Sequence, residues 1–298
     1  MTAASVAGAS IGVDVGGTKI AAALVARGGG VLARTGARTE AARPGRAILS
    51  DAVAAADAMA AEAVARGLAV DGVGVGVPEI VDPDGRIATA CVIDWRGEPV
   101  DEAFAHLGPL AIVADVRAAA RAEATLGAGR SFGTFAFVTV GTGISHTLVV
   151  DGRPYAGARG AAVLLGSGRL GDVVLEEVAC GPAIAAAAGA ESAEEVLAVA
   201  DAGDAAAARV VDNAARALGE GIATLVNLFD PDAVVVGGGL GTAGGRYWDG
   251  LVAAARANVW LPAARELPIV MAGLGSEAGA IGAALATRRF SAPLPRRA

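Results

Sequence analysis

A short apolar run that breaks into a glycine turn occurs three times in this chain, and nothing else in it constrains the fold as strongly. The three stretches are GVDVGGTK at 12–19, TVGTGI at 139–144 and VVVGGGLG at 234–241. In each, glycine lets backbone N–H groups approach a bound phosphate without interference from a Cβ. Any one of them alone is also what an ordinary tight turn looks like. None has the GxxxxGK[ST] spacing of a Walker loop or the GxGxxG of a dinucleotide fold.

The segments between these turns alternate strand and helix patterns. SIGVDVGGTKIAAALVA predicts a hairpin and GGGVLARTGA a third strand. An alanine-rich helix over about 44–66 and the strand DGVGVGVP then complete a β-β-β-α-β order. A loop-rich stretch, a short helix near 100–107 and the strand LAIVA follow. The second half starts again with strands around GTG at 141–143, a weak internal repeat. Helices are expected at about 181–189, 193–201, 204–229, 244–258 and 277–287, with strands at DAVVV and LPIVMAG between the later ones. The whole reads as α/β.

At 298 residues and 54% hydrophobic content the chain can bury a full core in one large or two ordinary domains. A net charge of −7 without clustered Lys and Arg argues against a nucleic-acid surface. Cys91 and Cys180 make neither a disulfide framework nor a metal knuckle; they read as small buried residues in a reducing cytoplasm. The N-terminal segment lacks the basic and apolar regions of a signal peptide, no membrane span is expected, and the tail SAPLPRRA reads as a frayed end.

Asp115 stands where LAIVA hands over to VRAAARAE. On position alone it suits a helix N-cap, whose carboxylate accepts from an orphaned N–H. It equally suits a base held at the end of a strand.

Taken in order, the motifs resemble the ROK family of sugar kinases and repressors, and the resemblance covers nearly the whole chain. DVGGTK at 14–19 is similar to the family's first phosphate motif and VGTGI at 140–144 to its second. GVPEIVDPDG at 76–85, WRGEPVDEAF, LEEVACGPAI at 175–184, and VVVGGGLG with GSEAGAIGAA match further family segments. The resemblance implies a two-domain actin-like (ribonuclease H-like) ATPase fold with a cleft between the domains. The smaller domain would be 1–114, completed by the C-terminal helix at about 284–298, and the larger 115–283.

It also implies roles. Asp115 falls on the Asp of the family's Asn-Asp-Ala-Asn motif, the general base. Asp14 would hold Mg²⁺ through water, with Gly16, Gly17, Thr18 and Lys19 on one phosphate loop of ATP and Gly141, Thr142 and Gly143 on the other; Gly238 and Gly239 would face the nucleotide. Glu176 is the retained family carboxylate on the sugar side.

Departures from the family pattern cluster on that same side. Ala114 and Arg117 replace the two Asn residues that flank the base, and Cys91 replaces the sugar-loop Asn. Arg117 is expected at solvent or in an ion pair with a neighbouring helix. In GARGAAVLLGSGRLG at 157–171, Leu164 and Ser167 replace the family's Glu and His, and every zinc cysteine is missing, so no zinc site is expected. The shortened loop is expected to pack by Leu164 and Leu165. Glucose hydroxyls would lose partners at roughly 1–3 kcal/mol for each buried unpaired group.

Glu79, Asp94, His146 and Glu176 are the candidates to replace those contacts. Glu79, where the family has Gly, would either aim a carboxylate at an amino group or face solvent. His146 would either fill the vacated space or be a satisfied structural histidine. The expected activity is ATP-dependent phosphorylation of a primary hydroxyl on an aminosugar or C7-cyclitol, as in secondary metabolism such as antibiotic biosynthesis. A catalytically weak sugar sensor and an ordinary glucokinase are the alternatives. A repressor is disfavoured, because only about eleven residues precede Val13-Asp14, too few for a helix-turn-helix. The partners expected are a sugar or cyclitol and, as in many family members, a second copy in a homodimer, with no nucleic acid and no membrane.

Overall fold

A computed structural model describes residues 8–287. The tail SAPLPRRA, the N-terminal segment before residue 8 and the expected helix beyond 287 lie outside the described residues. The described residues form two compact units: 8–126, 153–161 and 277–287 make one, 127–152 and 162–276 the other. Their first boundary falls after the helix that starts at Asp115, one element later than the expected 114/115 division.

In the first unit, β1 (Gly8–Val15), β2 (Lys19–Ala26) and β3 (Val31–Arg38) form an antiparallel meander. Helix α1 (Gly45–Ala65) then crosses to β4 (Ala69–Val77), which pairs parallel with β1. A short α2 (Val100–Phe104) precedes β5 (Leu110–Ala114), parallel to β4, and α3 (Asp115–Thr125) follows without a loop. The sheet order is β3-β2-β1-β4-β5. β1 is buried almost throughout, as a central strand covered on both faces must be.

The second unit repeats the device. β6 (Thr134–Val140) and β7 (Ile144–Val150) pair antiparallel across the GTG turn. The two-residue β8 (Arg153–Pro154) falls in the 153–161 segment of the first unit; in the second, the short β9 (Arg169–Leu170) and β10 (Val173–Val174) precede helices α4 (Glu176–Ala179), α5 (Gly181–Ala188), α6 (Ala193–Asp201) and α7 (Ala205–Phe229). β11 (Ala233–Gly237) lies parallel to β6, α8 (Gly245–Asn258) follows, and β12 (Ile269–Met271) lies parallel to β11. Hairpin, then parallel neighbour, then a second parallel neighbour: β7-β6-β11-β12 retraces β2-β1-β4-β5. The weak repeat read in the sequence is thus a repeat of topology. Asp204 caps the long α7 by accepting from the N–H groups of Ala206 and Ala207 at 2.9 and 2.8 Å.

Helix α9 (Ala278–Ala286) packs within the first unit, against β1, β4 and α3. Backbones touch there. A Cβ on Gly12 would lie 1.8 Å from the Ala280 carbonyl oxygen, and one on Gly282 1.7 Å from that of Ala118. Gly282 of GSEAGAIGAA therefore serves helix packing, a use the sequence reading did not assign to it. Among the described residues no helix is long and apolar enough to cross a membrane.

Candidate functional site

The first unit gathers Asp14, Asp115, Lys19 and Glu79. Asp14 is the penultimate residue of β1, and the turn after it closes through a Gly16 N–H to Lys19 carbonyl bond of 2.9 Å, leaving Thr18 and Lys19 exposed. Close packing from α9 encloses its carboxylate: a Cβ on Gly279 would lie 2.2 Å from Asp14 Oδ2. Burial, and then the negative field of Asp115, push the Asp14 carboxyl up to about 7, against the opposing pull of Lys19.

Asp115 opens α3, but not as its cap. Ala114 holds the N-cap position, and Asp115 Oδ1 accepts from the adjacent Val116 N–H at 2.6 Å instead of from the second or third turn residue. The capping reading is therefore corrected: the bond is local, and it satisfies one oxygen only. Burial raises the Asp115 carboxyl to about 6, the Val116 N–H opposes the rise, and the charge of Glu79 adds to it. A carboxylate with that pKa is ionised at neutral pH yet basic enough to take a proton.

Glu79 meets neither expectation. It is buried, 5% exposed, and its two oxygens accept four hydrogen bonds: from Thr89 Oγ1 at 2.5 Å, Cys91 N–H at 2.8 Å, Val92 N–H at 2.6 Å and Ile93 N–H at 2.8 Å. Burial works against its charge, yet the Thr89 hydroxyl and the three N–H groups hold it below the ordinary carboxylate range. Glu79 is thus the clamp of the 89–93 loop, with no acceptor left for a ligand amine. Missing this was unavoidable from spacing, since its partners stand ten to fourteen residues away across a loop.

Asp94 is exposed and pairs with its neighbour Arg96, Nε to Oδ1 at 3.1 Å; that bond holds its carboxyl below the ordinary range. Trp95 beside it is buried and donates from Nε1 to the Gly45 carbonyl at 2.9 Å. Cys91 is exposed, against expectation, whereas Cys180 is buried. Arg117 is also corrected: it is buried, and Nη2 donates to the Val81 carbonyl.

The second unit gathers the other two glycine turns with Glu176 and His146. The β11 loop docks on the GTG turn, with the Leu240 and Gly241 N–H groups donating to the Val140 carbonyl at 3.1 and 3.2 Å. Gly238 makes this possible with a φ of 83°, in the left-handed region that favours glycine. At the start of α5 the Gly181 N–H donates to the Gly141 carbonyl at 2.8 Å, so two glycine loops and a helix N-terminus converge, and Thr142 stays exposed.

Glu176 Oε2 accepts from the Ile144 N–H at 2.6 Å and sits where a Cβ on Gly143 would approach to 2.8 Å. His146 is committed on one side: ring Nδ1 accepts from the Leu165 N–H at 3.1 Å, while the backbone N–H of His146 donates to the Val163 carbonyl at 3.2 Å. The Nδ1 bond requires the neutral ring with its proton on Nε2, and burial lowers its pKa accordingly. The structural reading of His146 thus holds for one nitrogen. Leu165 packs against the core of this unit, but Leu164, expected to pack as well, is exposed, as is Ser167. Among the described residues no group of three or more His, Cys, Asp or Glu is placed to hold a metal ion.

Comparison with known proteins agrees with this architecture. The model of the ROK family matches residues 10–289. The chain is 32% identical to a glucokinase of Streptomyces coelicolor over 93% of its own length and 96% of the relative's. It is 31% identical to an N-acetylmannosamine kinase of Yersinia pseudotuberculosis, covering 94% and 99% of the two chains. A ROK family glucokinase from Streptomyces griseus, solved in complex with glucose and AMPPNP, superposes with a TM-score of 0.78 at 30% identity, over 93% of this chain and 98% of that one. The fold is the actin-like ATPase fold of ROK glucokinases, and the chain belongs to the ROK family.

Proposed function

We propose that this chain is an ATP-dependent kinase that transfers the γ-phosphate to a primary hydroxyl of a hexose-like ring, an aminosugar or C7-cyclitol rather than glucose. One observation carries the kinase reading: a half-buried, singly hydrogen-bonded Asp115 with its carboxyl raised to about 6, at a strand-to-helix junction beside a second half-buried carboxylate, Asp14, whose pKa its charge helps to raise. Asp115 takes the proton of the attacking hydroxyl. Gly17, Thr18 and Lys19 in the first unit, and Thr142, Gly143, Gly238 and Gly239 in the second, present N–H groups and one ammonium to phosphate and nucleotide, while Gly16 and Gly141 close their turns by donating to the Lys19 and Gly143 carbonyls.

Magnesium fits the first unit, where burial and the charge of Asp115 raise the cost of ionising Asp14 and Lys19 partly offsets it. Mg²⁺ is commonly held by one or two carboxylates together with substrate phosphates, and when bound it supplies neutralising charge. Asp14 is the residue that would hold it, through water.

The substrate class rests on loss. Leu164 and Ser167 stand where the family pattern carries Glu and His, and both are exposed. With Glu79 spent on its loop, Glu176 is the carboxylate that remains for ring substituents, joined by the Nε2 proton of His146. Similarity to an N-acetylmannosamine kinase is in keeping with an amino-substituted ring. A cytoplasmic homodimer belongs to the same proposal.

Phosphorylation across glucose, mannose, free and N-acetylated aminosugars and C7 cyclitols tests it, with Asp115→Asn as control. Turnover confined to aminosugars or cyclitols and abolished in the variant is the expected result. Equal or better turnover of glucose makes the chain an ordinary glucokinase. No turnover on any ring, with nucleotide still bound, makes it a sugar sensor.

A further inference from the structure

In the second unit a loop holds the Glu176 carboxylate in place, and an imidazole holds the loop. Residues 162–168 return along β7, where the Val163 carbonyl accepts from Ser145 Oγ at 2.8 Å and from the His146 backbone N–H at 3.2 Å. Two residues on, the Leu165 N–H donates to His146 Nδ1 at 3.1 Å. Val163 is buried and Leu165 packs on the core, whereas Leu164 and Ser167 are exposed. A backbone donor in the middle of the loop is thus answered by a side chain.

Backbone bonds carry that attachment on to Glu176. The Leu165 carbonyl accepts from the Gly168 N–H at 3.0 Å, the Gly168 carbonyl from the Leu175 N–H at 3.1 Å, and the Gly166 carbonyl from the Glu176 N–H at 2.9 Å. Gly166, which is buried, also forms one wall of the slot in which the carboxylate sits. A Cβ there would lie 2.2 Å from the Ile144 carbonyl oxygen and 2.9 Å from Glu176 Oε2, and one on Gly143 would lie 2.8 Å from the same Oε2. The Ile144 N–H engages Oε2, and among the described residues Oε1 accepts no hydrogen bond.

A histidine that merely satisfies its own ring explains the Leu165 bond but gives it no consequence. The bond falls one residue before the glycine that abuts the carboxylate. A backbone N–H deprived of its acceptor drives its loop to rearrange, and Gly166 cannot shift without moving a wall of the Glu176 slot. Burial disfavours the charged ring and so keeps Nδ1 free to accept; the Val163 carbonyl opposes this in second place.

We propose that His146 is a positioning residue for ring binding: through Nδ1 it fixes the 163–166 loop, and through Gly166 it sets where Glu176 meets a ring substituent. This role is separate from any contact made by Nε2, and it rests on the reading of Glu176 as the carboxylate that faces the ring.

Three substitutions separate the two ring nitrogens. In His146→Asn the amide oxygen stands where Nδ1 stands and accepts from Leu165; in His146→Gln the amide reaches the place of Nε2 and leaves Leu165 unpaired; His146→Ala removes both. Each is read by amide exchange at Leu165, and by KM for N-acetylmannosamine, glucosamine and glucose beside kcat and AMPPNP affinity. The Asn variant should keep Leu165 protected with KM within about threefold of wild type. The Gln and Ala variants should lose about tenfold in protection and gain about tenfold in KM, with kcat and AMPPNP affinity changed by less than about threefold.

Wild-type KM in Gln with a raised KM in Asn would assign the effect to Nε2 and overturn the proposal. Protection lost with KM unchanged, or protection kept in all three variants, would overturn it as well. His106 and His146 are the two histidines of the chain, so ¹⁵N-histidine spectra report the tautomer directly, and a neutral ring with its proton on Nδ1 rules the latch out. Where no sugar is phosphorylated, calorimetric affinity for the same three sugars replaces KM. Absence of binding by wild type overturns the role in ring binding together with the sugar reading, while exchange and tautomer, which need no sugar, show whether the latch itself stands. Should His146→Ala fail to fold, the contrast of Asn with Gln decides.

Discussion

Two kinds of desolvated carboxylate coexist in the first unit. Asp14 and Asp115 are raised to about 7 and about 6, Asp115 with a single backbone bond to set against burial. Glu79 is the less exposed of them, yet four donors surround it and hold it below its ordinary range. Desolvation raises all three, so compensation makes the difference. A carboxylate whose acceptors are all filled builds a loop; one left short of partners has acceptor capacity for a proton or a cation. On that criterion Glu79 leaves the substrate list and Asp115 heads it.

The widest consequence concerns turnover. Asp115→Asn removes the base and keeps the shape, so kcat should fall by about 10²–10⁴ with nucleotide affinity little changed. A coupled assay beside nucleotide titration measures both. An Asn variant that keeps full turnover would erase the distinction between the two kinds of carboxylate.

Glu79→Ala makes the opposite prediction. It strands the Thr89 hydroxyl and three N–H groups, each costing roughly 1–3 kcal/mol where it stays buried, so the fold should lose at least about 3 kcal/mol in urea melts. Any shift in ring preference should be secondary to that loss. A stable variant with altered ring selectivity would return Glu79 to the substrate site.

Compensation was not legible in the sequence, whereas topology was. Strand, glycine turn and strand are local patterns, and so were α1 and α7, whose periodicity runs unbroken for 21 and 25 residues. Asp115 could be placed at a junction because β5 and α3 adjoin with no loop. Glu79 could not be read, because its partners arrive through the path of a loop. Arg117 could not either: two residues into a helix the sequence suggests solvent, and only the fold of the 82–85 turn buries it. Gly282 of α9 carried a packing signal that the nucleotide motif masked.

Stability against pH sharpens the comparison further. Well below pH 3.8 Asp14 and Asp115 are protonated in folded and unfolded chains alike, and neither costs anything. Between 3.8 and the raised values of about 6 and 7, the unfolded chain ionises while the folded chain keeps its protons, so stability falls as pH rises. Above about pH 7 the penalty is fully present. Asp14→Asn or Asp115→Asn should therefore stabilise the ligand-free protein on the order of 1–3 kcal/mol at pH 8 and scarcely at pH 4. Glu79, being depressed, contributes with the opposite sign: its stabilisation is present above its ordinary pKa of 4.5 and is lost on acidification. Thermal melts at pH 4 and 8 separate the two, and an Asn variant less stable than wild type at pH 8 would contradict the sign.

The smallest effect joins the two kinds of carboxylate. The charge of Glu79 is one of the causes that raise Asp115, after burial and against the pull of the Val116 N–H. Glu79→Gln removes that charge while leaving an oxygen to accept from part of the loop. Asp115 should then ionise more easily, and the acid limb of kcat/KM, which follows the free enzyme's base, should move to lower pH by a few tenths of a unit. A merely structural Glu79 would reduce the amount of folded enzyme and leave the limb where it was. The direction of the shift therefore carries the argument: a limb that moves to higher pH, or stays fixed while stability drops, would confine Glu79 to the loop and leave burial alone to set the base.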